Sequence, residues 1–194
     1  MHDHAGEGDY DGTEAAIQKA LAERATILGT GPVSSGTVAP ANAVSMDPNQ
    51  VSSPETYFGS NRNEYLANGT QNTDGVQNLS IPNNISLNSL YLAGSWNFTP
   101  EYAETSDTNA KIVYQYDSKN LYFVASSALG ANIKILVDGK PLTTGRGSDV
   151  NVDGTALIKE DRLYNIVNGS SYGEHTIEID VESGTLDAYT FTFG

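Results

Sequence analysis

The sequence predicts an all-β protein, an antiparallel sandwich or jelly roll, with one α-helix ahead of it. Three observations carry that reading. Residues 174–194 alternate in character: Ile177, Ile179 and Val181 against Thr176, Glu178 and Asp180, then Tyr189, Phe191 and Phe193 against Ala188, Thr190 and Thr192. That period of two belongs to half-buried strands. From Pro54 onward short apolar runs recur between turn signals, with no helical stretch between them, the pattern of a sheet-on-sheet architecture. Helical spacing is confined to residues 11–25, DGTEAAIQKALAERA.

In that helix Asp11 is expected to cap the free N–H groups of the first turn while Glu14, three residues on, reaches back as a capping box. Ile17, Ala20, Leu21 and Leu28 fall on one narrow face. A lone helix of this length is marginal because nucleation costs about a thousandfold, so the stripe calls for a surface to pack on. Residues 26–53 are rich in Gly, Pro, Ser, Ala and Asn with almost no charge. Such a composition buries too little to offset its ordering entropy, and the segment reads as a flexible linker. Residues 54–194 then form the sandwich. Its expected strands are 55–58, 90–98 with the single tryptophan, 111–116 and 121–126, the last two flanking Asp117-Ser118-Lys119-Asn120 as a hairpin. Residues 133–137 turn through Asp138-Gly139, a two-residue hairpin signal, into 140–142. Strands at 157–158 and 163–167 precede a closing hairpin folded over residues 182–185.

Composition bounds the function. At 194 residues the chain has room for one main domain and an appendage. Ten Lys and Arg against twenty-four Asp and Glu give a formal charge of −14. That field repels phosphate backbones and anionic lipid, so nucleic acid and membrane surfaces are poor partners. The sequence holds no cysteine, which excludes disulfides, thiolate metal sites and thiol chemistry by its own residues. Its first residues lack the basic and apolar regions of an export signal, and no apolar run reaches the ~20 residues of a membrane span. The chain is expected to be soluble.

The sharpest motif is Asp149-Val150-Asn151-Val152-Asp153-Gly154 followed by Glu160. It satisfies the spacing of a calcium loop, in which alternating oxygen ligands wrap a hard cation, and Asp149, Asn151, Asp153, Thr155 and Glu160 are its candidate ligands. Its context differs, since TTGR before it is no helix and Leu157-Ile158 sits later than the usual hydrophobic anchor. The plainer reading is an acidic hairpin loop whose side chains bond their own backbone. Calcium is the one cofactor suggested. His2, Asp3 and His4 place imidazoles at i and i+2, which suits a transition metal only where the chain is held still. His175, without a nucleophile motif beside it, reads as structural.

Trp96, with Tyr57, Tyr91 and Tyr102, makes a candidate aromatic platform for sugar rings, with Glu55 and Arg62 to orient a polar ligand. The competing reading puts Trp96 in the core and pairs Glu55 with Arg62. A paired-carboxylate glycosidase needs two carboxyls about 5–9 Å apart across a cleft, and no constellation in the sequence identifies such a pair.

Two sets of residues resemble a known family. Gly6 to Glu23, GEGDYDGTEAAIQKALAE, resembles the last helix, with the turn before it, of extracytoplasmic thioredoxin-like redoxin domains. SPETYFG at 53–59, LAGSW at 92–96, the acidic loop at 149–154, DRLYNIV at 161–167 and AYTFTFG at 188–194 are similar to the C-terminal domain that follows such a redoxin in DipZ-type thiol-disulfide and cytochrome c biogenesis proteins. The resemblance implies a sandwich of the carbohydrate-binding-module type, an extracytoplasmic location and a thioredoxin-like partner domain tethered to a membrane. Residues 1–25 would be the remnant of that domain's last helix, with Met1 starting inside its fold. The family's active Cys-x-x-Cys pair has no counterpart here, so redox activity does not transfer. The expected function is therefore a non-catalytic recognition module for a glycan or a client protein. The alternatives are a structural domain packing on the thioredoxin domain, and a glycan hydrolase.

Overall fold

A computed structural model describes residues 10–31 and 50–194. His2, Asp3, His4 and most of the expected linker lie outside the described residues. The helix and the strands belong to two separate units.

Helix α1 spans Tyr10–Leu28. Asp11 lies inside its first turn rather than ahead of it, and Glu14 accepts from Gln18 Nε2 at 2.8 Å, so the expected capping box does not form. The helix runs three residues past the sequence boundary and stops at Gly29, whose φ of 62° is costly for any side chain with a Cβ. Thr30 N donates to Ala25 O at 3.1 Å and Gly29 N to Thr26 O at 3.4 Å, the two bonds of a Schellman cap. Residues 26–28, assigned to the linker by composition, are thus the last turn of the helix. Along the apolar stripe Ile17, Leu21 and Leu28 are exposed.

The body contains β1 Thr56–Tyr57, β2 Gly75–Leu79, β3 Leu90–Phe98, β4 Ala103–Thr105, β5 Lys111–Asp117 and β6 Asn120–Ser126. It continues with β7 Ala131–Val137, β8 Lys140–Pro141, β9 Thr155–Ile158, β10 Arg162–Asn168, β11 Glu174–Ser183 and β12 Leu186–Phe193. All pairings between these strands are antiparallel. One layer runs β10-β6-β12-β4-β3, with β1 also on β12 and β2 on β3; the other runs β3-β5-β11-β7-β8, with β9 also on β7. Strand β3 belongs to both. Leu90 to Ala93 pair with β5, and Gly94 to Phe98 pair with β2. The corner is Gly94, at φ 90°, where a Cβ would come within 2.8 Å of Asp107 Oδ2 and 3.0 Å of Ala110 Cα. A strand that changes sheets needs such a bend, and glycine supplies both the conformation and the space.

Between the layers Phe191 meets Phe58 edge-on at 5.2 Å and Phe123 at 5.0 Å, while Tyr114 stacks on Phe193 at 5.6 Å. Each large side chain so buried contributes about 1.5–3 kcal/mol. Burial also pushes the Tyr114 phenol up to about 12; its oxygen accepts from Thr56 Oγ1 at 2.8 Å. Trp96 is 0% exposed and its indole N–H donates to Ala93 O at 2.8 Å. It is a satisfied core residue, which removes it from any sugar platform.

Two expected hairpins are corrected. β11 pairs with β5 and β7, whereas β12 pairs with β1, β4 and β6, so residues 184–185 carry the chain across the sandwich from one sheet to the other. Alternation is satisfied either way, because each strand turns its apolar side to the same core from opposite layers. Asp117 to Asn120 make a second crossing, from β5 to β6, which also lie in different sheets. The Asp138-Gly139 hairpin does form: β7 pairs with β8, and both turn residues have positive φ, 52° and 73°, as a type I′ turn requires. The far end of the expected linker is structured as well. Ser53 is 7% exposed; its hydroxyl donates to Asn88 Oδ1 and accepts from Asp117 N, both at 2.7 Å, bonds between distant segments that composition does not reveal.

Candidate functional site

The site is assembled on the outer side of the β1/β12 layer, where two loops are locked together. Ser60 N donates to Thr99 O at 2.8 Å and Asn61 N to Pro100 O at 3.2 Å. This approach is close enough that a Cβ on Gly59 would fall 2.3 Å from the Glu101 carbonyl carbon, so only glycine fits. The Ser60 hydroxyl also donates to Asp74. The result is a pocket of about 470 Å³ whose lining includes Tyr57, Gly59, Arg62, Glu101, Tyr189 and Thr190.

Tyr57 and Tyr189 present half-exposed rings. The Arg62 guanidinium lies 3.3 Å from the centroid of the Tyr57 ring, a cation–π contact that contributes about 0.5–1 kcal/mol at a partly solvated site. Burial first, then the Glu55 carboxylate beside it, raise the Tyr57 phenol above its usual range against the opposing pull of Arg62. Tyr189 leans on Tyr102 with ring centroids 5.1 Å apart. Burial, followed by the charges of Asp187 and Glu104, raises Tyr102. Asp187 and Glu104 face each other across β12 and β4. Asp187 is itself raised, chiefly by burial, against a hydrogen bond from Ser126 at 3.1 Å, and its Oδ1 is buried without a partner. The face thus offers tyrosine rings, one guanidinium and a row of carboxylates.

Glu55, Tyr57 and Arg62 are brought together, and Tyr102 joins them through Tyr189. Trp96 is withdrawn into the core. Tyr91 is 6% exposed and accepts Ser86 N at 3.2 Å, so it too leaves the platform. Tyr189 is the residue that alternation misplaces. Its spacing from Phe191 and Phe193 puts it in the core, but the register shifts between Ala188 and Thr190, a bulge that turns Tyr189 outward. A phenol among phenylalanines is the one hint in the sequence.

The acidic loop lies between β8 and β9. Asp149 receives Arg162 Nη2 at 2.7 Å and Asn165 N at 2.8 Å, one on each oxygen. Glu160 approaches the same guanidinium at 3.4 Å. Burial opposes the charge on Asp149, and the bonds from Arg162 and Asn165 outweigh it, holding the carboxyl below its usual range. Asp153 accepts from Thr155 Oγ1 at 2.7 Å, while Asn151 Nδ2 donates to Thr155 Oγ1 at 3.1 Å. The candidate ligands therefore face Arg162 and their own loop. Among the described residues no group of three His, Asp or Glu side chains is placed to hold a metal.

Fold and site define the class: an all-β antiparallel sandwich with an aromatic and acidic outer face. Residues 53–194 match the family described as "Thioredoxin like C-terminal domain", and the chain belongs to that family. It is 26% identical over 193 residues to "Protein DipZ" of Mycobacterium bovis and equally to "Protein DipZ" of Mycobacterium tuberculosis. The alignment takes in 100% of this chain and 25% of each relative, so the chain spans about a quarter of their length. Among solved structures it is similar to the CBM36-1 domain of a multidomain xylanase from the hindgut metagenome of Trinervitermes trinervoides, with a TM-score of 0.37, 17% identity and coverage of 73% and 97% of the two chains. It is also similar to a family two carbohydrate esterase from Clostridium thermocellum, with a TM-score of 0.46, 16% identity and coverage of 55% and 31%. At those scores neither likeness says what this chain binds. No described helix is long and apolar enough to cross a membrane.

Proposed function

We propose that residues 53–194 are a non-catalytic recognition module that binds a neutral glycan at the pocket between Tyr57 and Tyr189. One observation carries this reading: half-exposed tyrosine rings stand beside a pocket whose walls are held by backbone hydrogen bonds. Flat aromatic faces accept the C–H side of a sugar ring, and Arg62, Glu101 and Glu55 supply polar contacts at its edge. The nearby carboxylates disfavour an anionic sugar. In a longer protein of the DipZ kind the module would lie outside the cytoplasm and hold a thioredoxin-like domain near its target. The exposed Ile17, Leu21 and Leu28 of α1 suit a helix that packs on that domain. With both Asp149 and Glu160 drawn to Arg162, the acidic loop works without calcium in this reading.

A glycan array followed by calorimetry and an activity assay tests the proposal. Binding without turnover, lost in Tyr57→Ala and Tyr189→Ala, supports it. Turnover would favour hydrolysis instead. A chain that binds no glycan but captures a thioredoxin-like domain has the structural role.

A further inference from the structure

A second cavity, about 720 Å³ in volume, opens at an end of the sandwich where three connections meet. These are the β5–β6 crossing, the β7–β8 turn with the residues after it, and the segment between β10 and β11. Their backbones are tied to one another: Gly169 N donates to Lys119 O at 3.1 Å, Asn168 N to Gly145 O at 2.8 Å, Ser118 N to Gly173 O at 3.2 Å and Asp138 N to Thr176 O at 2.9 Å. The walls are fixed before any ligand arrives, which lowers the ordering cost of binding.

The lining is mixed in a particular way. Val137, Leu142 and Val167 give it an apolar part. Tyr116 also lines it, is 0% exposed as a residue, and carries a buried hydroxyl with no hydrogen-bond partner among the described residues. An orphaned buried polar atom is costly to the fold, so a ligand group that engages it gains what the empty groove forgoes. Lys119 and Lys140 border the same space, and neither is among the ion pairs of the described residues. In a chain with ten basic residues against twenty-four acidic ones, two ammonium groups on the lining of one groove concentrate positive charge there, with the Asp138 carboxylate feeling Lys140. The acid in the lining, Asp138, is already engaged: Oδ2 lies 2.8 Å from His175 Nδ1 and Oδ1 accepts Thr176 N at 2.9 Å. The volume falls in the range of small-ligand sites, roughly 300–1,000 Å³. The overall charge of −14 repels a polyphosphate or nucleic acid, while a single carboxylate can be matched locally.

We infer that this groove binds a carboxylate-bearing sugar, a uronic acid or short uronate oligomer, with Lys119 and Lys140 meeting the carboxylate and the Tyr116 hydroxyl meeting a ring oxygen. The site is independent of the pocket at Tyr57, and the two differ in the charge of what they take.

Calorimetry on the full chain tests this with a galacturonate dimer, the corresponding neutral galactose dimer, and inorganic sulfate and phosphate. Uronate binding that exceeds both the neutral sugar and the bare anions is expected. Replacing Lys119→Ala and Lys140→Ala together should weaken it about tenfold or more, the contribution of a charge-assisted contact. Tyr116→Phe keeps the ring in the core and should weaken it about threefold, with an unchanged circular dichroism spectrum. Tyr57→Ala should leave it unaltered, so failure of the neutral-glycan reading and failure of this one are told apart. The inference is overturned if the uronate does not bind, or if the neutral sugar or sulfate binds as tightly. A loss in Tyr57→Ala, or indifference to the two lysine changes, overturns it equally.

Discussion

The pocket at Tyr57 and the groove at Tyr116 both use tyrosine, in opposite ways. At Tyr57 the ring is half exposed while Arg62 and Glu55 attend to its face and hydroxyl; at Tyr116 the ring is buried and the hydroxyl has no partner among the described residues. Around the first stand Glu55, Glu101, Glu104 and Asp187 with Arg62, and around the second stand Lys119, Lys140 and His175 with Asp138. The difference teaches that a strongly acidic chain need not present one kind of surface. Sheet pairing gathers carboxylates on one face, and loop closure collects part of the small basic complement at one end.

The largest effect comes from what the two surfaces share. Trp96→Ala should cost about 3–5 kcal/mol, read by urea unfolding, and abolish ligand binding at both places; a loss confined to binding would contradict the buried placement of Trp96. Next, Tyr57→Ala combined with Tyr189→Ala should weaken glycan binding at least about tenfold, or roughly 1.4 kcal/mol. The midpoint of unfolding should change little, because both rings are half exposed. If the double variant binds as the parent does, the outer face is not the platform.

Two carboxylates with opposite shifts sharpen the contrast further. Asp187 is raised, so its contribution to stability is complete below the ordinary carboxylate pKa and is lost as pH rises through the folded value. Asp187→Asn should therefore melt higher than the parent at neutral pH, and the advantage should vanish by about pH 3. Asp149 is lowered, so its contribution is present above the ordinary pKa and is lost as pH falls through the folded value. Asp149→Asn should melt lower at neutral pH and converge with the parent in acid. Thermal scans at both pH values check the pair, and shifts of the same sign would refute the assignments. The smallest effect is at the acidic loop: calcium or a chelator should leave the melting temperature unchanged, and a calcium-dependent rise lost in Asp153→Ala would show that the loop binds the ion.

Much of the architecture was legible from local pattern. β3 falls where its apolar run says, and the Asp138-Gly139 turn forms because its two positive φ values suit those residue types. What pattern cannot convey is which strands become neighbours. Ile177 and Phe191 alternate in the same way whether β11 pairs with β12 or faces it across the core. Composition likewise marked residues 26–28 and Ser53 as linker, although a helix cap and two hydrogen bonds hold them. At the site, Glu55, Tyr57 and Arg62 lie close enough in sequence for their meeting to be anticipated. Tyr189 reaches them through a bulge that no periodicity announces, and the groove at Tyr116 depends on contacts between loops far apart in the chain. In the acidic loop Asp149 and Glu160 turn toward Arg162, an arrangement that the motif's spacing does not reveal.

Strand β12 lies between β6 on one flank and β1 with β4 on the other, closing contacts that reach back through Ser126 and Thr105 as far as Thr56. Until residues 186–193 have been synthesised, β10-β6, β4-β3-β2 and β1 are separate pieces of that layer, with a slot where β12 belongs and bare backbone on either lip. Assembly must therefore wait for late residues, at the slow pace of distant pairings, and a nascent chain remains open to stray strands through that gap.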